Sequence, residues 1–289
     1  MTLERMIEEK KSVRVYKEKS LKSSDLKTIK AHYNDEKQLT NSAITLHSFD
    51  NGDNAAFMKM NGHVGYNGIL IHAPHYFVFT GESTDASYLN LGYVGERLAF
   101  KLHEMGIGSV WLDVQNSEAV KSALGVEGDV LGVLAAGYEG VDSYTSKTRG
   151  NYKNNPHINV DVKGERVSSR LGSEDIVFLD TFGNEIAIGE LSKRGLSEVF
   201  RLTRLAPSWG NRQPWRFIID DEKFVLVIDR DDQVDDNAEN IEAGIAMLYF
   251  EFAMRDSGYP GYWHTDHELK LADYKIPEGN FVAGYYTYR

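Results

Sequence analysis

Cysteine is absent from the 289 residues of the chain. A chain without thiols has no disulfides, cannot use thiolate catalysis, and cannot bind zinc or iron–sulfur clusters through cysteine. Any redox chemistry that the protein performs would therefore have to come from a bound cofactor.

Long apolar runs and an excess of positive charge are also missing. No segment approaches the ~20 uninterrupted apolar residues of a membrane span, and residues 1–10 are charged from the fourth residue onward, unlike a signal peptide. We therefore expect no membrane contact and a cytoplasmic location. Lysine and arginine number 32 against 43 acidic residues, a net charge of -11, so we expect no nucleic-acid partner. A small phosphorylated ligand suits the local basic groups better.

What the chain does contain is a weak internal repeat. Residues 91–106 and 243–258 both have apolar residues at helical spacing and end on a glycine. Three pairs of residues share one offset of 152: Gly92 and Gly244, Gly106 and Gly258, and Trp111 and Trp263. Two copies of one α+β unit would explain this offset. Coincidence between two buried helices remains the alternative.

Further elements repeat around these helices. A strand candidate precedes each helix, another follows it, and a short amphipathic helix opens each half. The strands are residues 75–79, 132–138, 224–228 and 281–286, and the opening helices are residues 24–33 and 192–204. A polar tract at residues 147–170 is the natural linker, so we predict two halves, residues 1–165 and 166–289.

The most specific string is Ala206-Pro207-Ser208-Trp209-Gly210-Asn211-Arg212-Gln213-Pro214-Trp215-Arg216-Phe217. It predicts a helix that ends near a proline, a tight polar turn, and a strand that starts at Trp215. Such a turn offers the Ser208 hydroxyl, the Asn211 amide and backbone N–H groups to a polyol or a pyrimidine-like ring. A purely structural turn is the alternative interpretation.

This string resembles the Ala-Pro-Ser-Ser-x-Asn-x-Gln-Pro-Trp-x-Phe motif of the nitroreductase superfamily, with Trp209 in place of the second serine. Three further strings are similar to motifs of that superfamily. They are the opening Lys10-Lys11-Ser12-Val13-Arg14, the turn and strand Gly106-Ile107-Gly108-Ser109-Val110-Trp111-Leu112, and the basic pair Lys147-Thr148-Arg149. The first half holds these three, and the second half supplies the Pro-Ser-x-x-Asn motif that the first half lacks.

The resemblance implies an α+β nitroreductase-like fold of two pseudo-symmetric halves, each with a mostly antiparallel sheet flanked by helices. Members of the superfamily are homodimers that bind FMN between subunits. The split motifs here therefore imply a monomer mimicking a dimer, in a subfamily of single-chain, duplicated nitroreductase-like proteins. It would hold one FMN in a groove built by both halves.

The resemblance also implies roles for individual residues. Lys147 and Arg149 would bind the FMN phosphate with help from Lys10 and Ser12, and Arg14 would stabilise negative charge at N1 and O2 of the reduced ring. Without the resemblance, Lys147 and Arg149 would be read as charges of a solvated linker. The remaining predicted cofactor contacts come from the Trp-containing strand and from the polar turn: Trp111, Leu112, Asp113, Pro207, Ser208 and Asn211. Trp111 and Leu112 would lie against one ring face, and backbone N–H groups around Asp113 would point at N5 and O4. Many relatives have glycine where Asp113 or Val114 stands.

The implied activity is that of an FMN-dependent NAD(P)H oxidoreductase. By ping-pong hydride transfer it would reduce an electron-poor acceptor of the nitroaromatic or quinone type. No protein acid or base need be essential, so we predict no catalytic residue in the strict sense. A flavin-binding or sensory module with little turnover is the alternative.

Two groups of histidines invite a metal-site interpretation. His63, His72 and His75 are close in sequence, and His264 and His267 flank Asp266. Neither group has the helical spacing or the carboxylates of a specific metal site. We predict that they are ordinary strand and loop histidines and that the chain has no metal site.

Overall fold

The computed structural model describes residues 2–66, 68–140, 158–160, 166–221, 223–231, 234–266 and 268–288, with backbone alone at 158–160 and 166–168. The chain divides into two compact units. Unit one comprises Met1–Thr2 and Glu9–Asp142, and unit two comprises Leu3–Glu8 and Ser143–Arg289. The predicted halves, residues 1–165 and 166–289, stay a prediction.

Unit one is built on a four-stranded antiparallel sheet with the order β1-β2-β4-β3. Its helices lie before and between the strands. The elements in chain order are α2 (Ser23–Asp35), β1 (Thr45–Asp50), α3 (Ala55–Met60), β2 (His75–Gly81), α4 (Asp85–Glu104), β3 (Gly108–Leu112), α5 (Ser117–Leu124) and β4 (Asp129–Gly137). They follow α1 (Leu3–Glu9), most of which belongs to unit two.

Unit two has a five-stranded sheet with the order β10-β11-β9-β8-β7, in which only the short β7 runs parallel to its neighbour. A two-stranded antiparallel sheet of β5 (Ile158–Val160) and β6 (Arg166–Ser168) precedes it in the chain. The other elements are β7 (Val177–Leu179), α6 (Glu190–Lys193), α7 (Ser197–Thr203), β8 (Trp215–Asp220), β9 (Lys223–Ile228), α8 (Asp236–Asp256), β10 (Gly261–His264) and β11 (Phe281–Tyr288).

The two sheets share one topology. The order β8-β9-β11-β10 in unit two repeats β1-β2-β4-β3 in unit one, and in each unit the long helix comes before the strand that carries the tryptophan of the 152-residue offset. The α+β class with two mostly antiparallel sheets flanked by helices is therefore confirmed. Duplication as the origin of this repeat stays a prediction.

The long helices α4 and α8 begin earlier than the apolar pattern predicts, at Asp85 and Asp236 instead of residues 91 and 243. Their first turns are polar, but each has a side-chain cap. Thr84 accepts a hydrogen bond from the Ser87 backbone N–H, and Asp235 accepts one from that of Asn237. Such caps satisfy amides that the first turn leaves without helical partners. The prediction placed both starts too late because it followed hydrophobic spacing.

The sequence predicted one continuous helix over residues 192–204, and this was wrong. The chain forms two short helices, α6 and α7, separated at Gly195, whose φ is 71°. A left-handed residue ends a helix, and glycine adopts that conformation without a Cβ clash. The predicted strands at residues 75–79, 132–138, 224–228 and 281–286 are confirmed as β2, β4, β9 and β11.

Candidate functional site

The basic opening segment, residues 10–14, lies along the edge strand β3. The Val13 amide donates to the Ser109 carbonyl at 3.0 Å, and Ser12 forms a parallel bridge with Ser109. Val13 is buried against Gly108, where a Cβ would come within 2.5 Å of the Val13 side chain. Because neighbours along an extended segment face opposite ways, Ser12 and Arg14 are exposed.

The Arg14 guanidinium has few hydrogen-bond partners among the described residues. It donates to the Tyr66 hydroxyl at 3.2 Å and to the Ser12 carbonyl at 3.3 Å, and it lies over the Tyr66 ring. The described residues include no carboxylate paired with Arg14. Since a guanidinium carries five N–H donors, several remain for a ligand. Sequence reasoning missed Tyr66, because nothing in the sequence marks it as a neighbour of Arg14.

Lys10 has a different environment from the one predicted. Its ammonium lies 2.6 Å from the Glu96 carboxylate, and its side chain is only 10% exposed. The same carboxylate accepts the Trp111 indole N–H at 2.9 Å. Contact of Lys10 with a phosphate stays a prediction, but this ion pair already gives the ammonium a buried partner.

The side chains of Trp111 and Leu112 face the interior of unit one. A Cβ on Gly95 would meet the Trp111 ring at 2.5 Å, so the indole packs closely on α4 at a position that needs glycine. Leu112 is 4% exposed and belongs to the core. The predicted contact with a flavin ring would therefore have to use the backbone at Leu112.

A loop, of which the structure describes residues 61–66 and 68–69 and which is called the loop at residues 61–69, covers the end of β3. The Gly65 amide donates to the Asp113 carbonyl at 2.8 Å, and the Gln115 side chain donates to the Gly65 carbonyl at 2.5 Å. Val64 and Val114 form an antiparallel bridge. Tyr66 is the next residue of this loop, so the loop joins Arg14 to Asp113, two of the predicted cofactor contacts. The prediction did not include this loop.

In unit two, the turn at residues 206–213 has the form that the motif predicts. Trp215 starts β8, as expected. The Ser208 hydroxyl accepts the Gln213 amide N–H at 2.9 Å, which leaves its own O–H able to donate. Gly210 and Asn211 have φ values of 57° and 61°, and glycine and asparagine tolerate this left-handed conformation best. Pro207 is half-buried at the start of the turn.

The Asn211 amide is engaged at both ends. Its Oδ1 accepts from the Arg170 guanidinium at 2.6 Å, and its Nδ2 donates to the Ser169 carbonyl at 2.6 Å. Arg170 also donates to the carbonyls of Leu205 and Ala206, and burial lowers its pKa. Sequence reasoning missed Arg170, although Ser168-Ser169-Arg170 repeats the Ser-x-Arg spacing of Ser12-Val13-Arg14 and could have indicated it.

Lys147 and Arg149, the predicted phosphate ligands, lie outside the described residues, as does His267.

The other histidines have ordinary surroundings. His75 forms a hydrogen bond with the Ser48 hydroxyl at 2.7 Å, and burial lowers its pKa to about 4. His72 bonds to Asn54. Within the described ranges, no group of three or more histidine or acidic side chains could hold a metal ion.

The donors of each unit fit part of a flavin when each unit is considered alone. Unit one offers the Arg14 guanidinium and the Ser12 side chain, both exposed, and such donors suit the acceptor edge of an isoalloxazine ring. Unit two offers the Ser208 hydroxyl, while its Asn211 amide already has two protein partners. That both sets contact one FMN stays a prediction.

Comparisons with known proteins agree with the motifs. The family model "Putative TM nitroreductase" matches residues 2–169, more than half of the chain. A Thermotoga maritima protein assigned to the nitroreductases matches the fold with a TM-score of 0.56 and 16% identity, over 100% of this chain and 93% of that one.

Smaller structures match about half of the chain. An FMN-dependent nitroreductase from Clostridium difficile R20291 gives a TM-score of 0.40 and 17% identity, over 47% of this chain and 87% of its own. A nitroreductase family protein from Clostridium novyi NT gives a TM-score of 0.42 and 13% identity, over 48% of this chain and 86% of its own.

No curated protein sequence matches the chain. No helix in the described part of the chain has the length and apolar character to cross a membrane. The chain belongs to the nitroreductase family that the matching family model describes, and this membership supports an oxidoreductase.

Proposed function

We propose that the protein is an FMN-dependent oxidoreductase that takes electrons from NAD(P)H and passes them to a small electron-poor acceptor of the nitroaromatic or quinone type. Family membership supports the oxidoreductase class. FMN would supply a two-electron carrier that a nicotinamide can reduce and an acceptor can reoxidise. One FMN per chain and a single-chain equivalent of a dimer are parts of the same proposal.

The observation that carries this proposal is the exposed Arg14 guanidinium. It is fixed from two directions, by the pairing of residues 12–13 with Ser109 and by the Tyr66 hydroxyl. A reduced flavin carries negative charge at N1 and O2, and a fixed cation stabilises such charge without reorganising. These contacts support the proposal that Arg14 binds the ring and favours its reduced state.

Other residues of unit one would orient the ring and limit water. The loop at residues 61–69 is bonded to the end of β3 through Gly65 and Gln115. Its exposed side chains include Tyr66 and Ile69, which are 39% and 73% exposed. These side chains give the loop an apolar surface next to Arg14, suitable for a planar organic acceptor. The Ser12 hydroxyl would add a neutral hydrogen bond on the same side.

The test is a titration of the purified protein with FMN and riboflavin, followed by stopped-flow mixing with NADH and NADPH. We expect yellow protein with one FMN per chain and rapid bleaching by at least one nucleotide. The Arg14→Gln variant should weaken both flavins alike and slow bleaching by about tenfold or more, because the contact is with the ring. Arg194→Gln, a change of an exposed arginine paired with Glu190, is the matched control.

Three results would count against the proposal or a part of it. Absence of flavin absorbance after FMN addition would remove the cofactor. Bound flavin that neither nucleotide bleaches would instead support the binding or sensory module. A stoichiometry near two would show that the second half keeps a site of its own.

A further inference from the structure

A buried carboxylate links two of the segments predicted to hold the cofactor. Glu96 lies in the middle of α4 with its side chain 0% exposed. It accepts a hydrogen bond from the Lys10 ammonium at 2.6 Å and one from the Trp111 indole at 2.9 Å. Lys10 begins the segment that carries Ser12 and Arg14, and Trp111 immediately precedes Leu112 and Asp113.

The repeat within the chain shows what this position holds in the other unit. The offset of 152 places Leu248 at the position of Glu96, and Leu248 is fully buried in α8. The matching tryptophan, Trp263, donates its indole N–H to the Met247 carbonyl at 2.9 Å. A tryptophan at this place is thus satisfied without a carboxylate, so Trp111 alone does not account for Glu96.

Stability alone does not account for Glu96 either. Removing a carboxylate and an ammonium from water is costly, and replacing a buried ion pair by apolar side chains often leaves stability unchanged or raises it. Unit two contains such an apolar alternative at Leu248. What the pair does provide is a fixed position for Lys10, and through it for the extended segment on β3.

We infer that Glu96 is a positioning residue, which holds Lys10 and thereby fixes residues 12–14 so that Arg14 faces the flavin. This rests on the proposed function for the identity of the ligand. It also assigns the Lys10 ammonium to Glu96 instead of to the FMN phosphate. A direct phosphate ligand and a positioning pair give different results, because riboflavin has no phosphate.

The experiment uses the full chain with three changes: Glu96→Gln, the double variant Lys10→Met with Glu96→Leu, and the control Glu104→Gln. Glu104 is an exposed carboxylate of the same helix, also paired with a lysine. Hydrogen exchange of the peptide containing Val13 is measured without flavin. Melting temperature and the dissociation constants of FMN and riboflavin are measured in parallel.

In the double variant we expect a melting temperature close to that of the wild type, because an apolar pair removes the cost of burying the ions while the Trp111 indole loses its acceptor. Exchange at Val13, which bonds to Ser109, should accelerate by on the order of tenfold. The dissociation constants of FMN and riboflavin should rise by similar factors, on the order of tenfold. Glu96→Gln should change the exchange rate and both dissociation constants in the same direction, and Glu104→Gln should give the wild-type values.

Unchanged exchange at Val13 in both Glu96 variants overturns the inference, whatever the flavin results are. A loss of FMN affinity with riboflavin affinity unchanged also overturns it, because Lys10 would then contact the phosphate directly. If the wild type binds no flavin, the proposed function fails, and the exchange measurement still decides whether Glu96 positions the segment.

Discussion

The Asn211 side chain offers the sharpest test of how the polar turn of unit two works. Replacing it by alanine removes the acceptor for Arg170 and the donor to Ser169, each at 2.6 Å. A hydrogen bond to a charged partner is worth about 1.5–3 kcal/mol and a neutral one about 1 kcal/mol. Alanine at a φ of 61° adds about 1 kcal/mol more. The sum is roughly 4 kcal/mol.

Asn211→Gly is the matched variant. It loses the same two hydrogen bonds but accepts the left-handed backbone, so it should be about 1 kcal/mol more stable than Asn211→Ala. Urea unfolding at 25 °C, followed by tryptophan fluorescence, measures both. Trp209 lies within the turn and Trp215 just after it, so both report on it directly.

The resemblance to the superfamily instead makes Asn211 a direct flavin contact. In that case alanine would weaken FMN while the urea midpoint stayed at the wild-type value, and this result would refute the structural role argued from Arg170. A large loss of stability, with flavin affinity reduced only in proportion to it, would support that role.

Two further predictions concern unit one. His75 is buried with a pKa near 4, below the ordinary 6.5. The unfolded chain therefore binds more protons at His75 between these values, so this side chain alone should lower the free energy of unfolding by about 3 kcal/mol from pH 7 to pH 4. Other histidines add to the fall, since burial also lowers the pKa of His47 and of His103. In urea titrations, His75→Gln should reduce the difference in the free energy of unfolding between the two pH values by its own share, and an unchanged difference would contradict the argument. Gly65→Ala would place a Cβ 2.2 Å from the Ile69 carbonyl, so we expect the loop at residues 61–69 to open and flavin reduction to slow. Gly62→Ala also has a positive φ but meets no atom within 4 Å, and equal effects of the two changes on the reduction rate would exclude a role for the clash.

Much of the fold could be predicted because buried strands and helices have simple apolar patterns. β2, β4, β9 and β11 are continuous apolar runs, and they were found. β1 was missed because its half-buried residues alternate weakly, and β7 was missed because it has only three residues. The helix starts at Asp85 and Asp236 depend on caps, which hydrophobic spacing does not report.

The site was predictable only as far as local spacing determines it. The exposed positions of Ser12 and Arg14 follow from alternation along an extended segment. The partners of Lys10 and Asn211 do not, because Glu96 lies 86 residues from Lys10 and Arg170 lies 41 residues from Asn211. Glu96 has the sequence context of a solvated helix residue, and only tertiary packing shows that it is buried.

The helix α1 has a consequence for how the chain is made. Leu3–Glu8 belongs to unit two, where Glu4 and Glu8 pair with Arg201. Glu4 is synthesised 197 residues before Arg201, so α1 cannot form these ion pairs until most of the protein has been made. Contacts between residues so far apart in the chain form slowly. Deleting the first eight residues should therefore disturb the later-made unit, and splitting the chain at the linker would separate this helix from its partner.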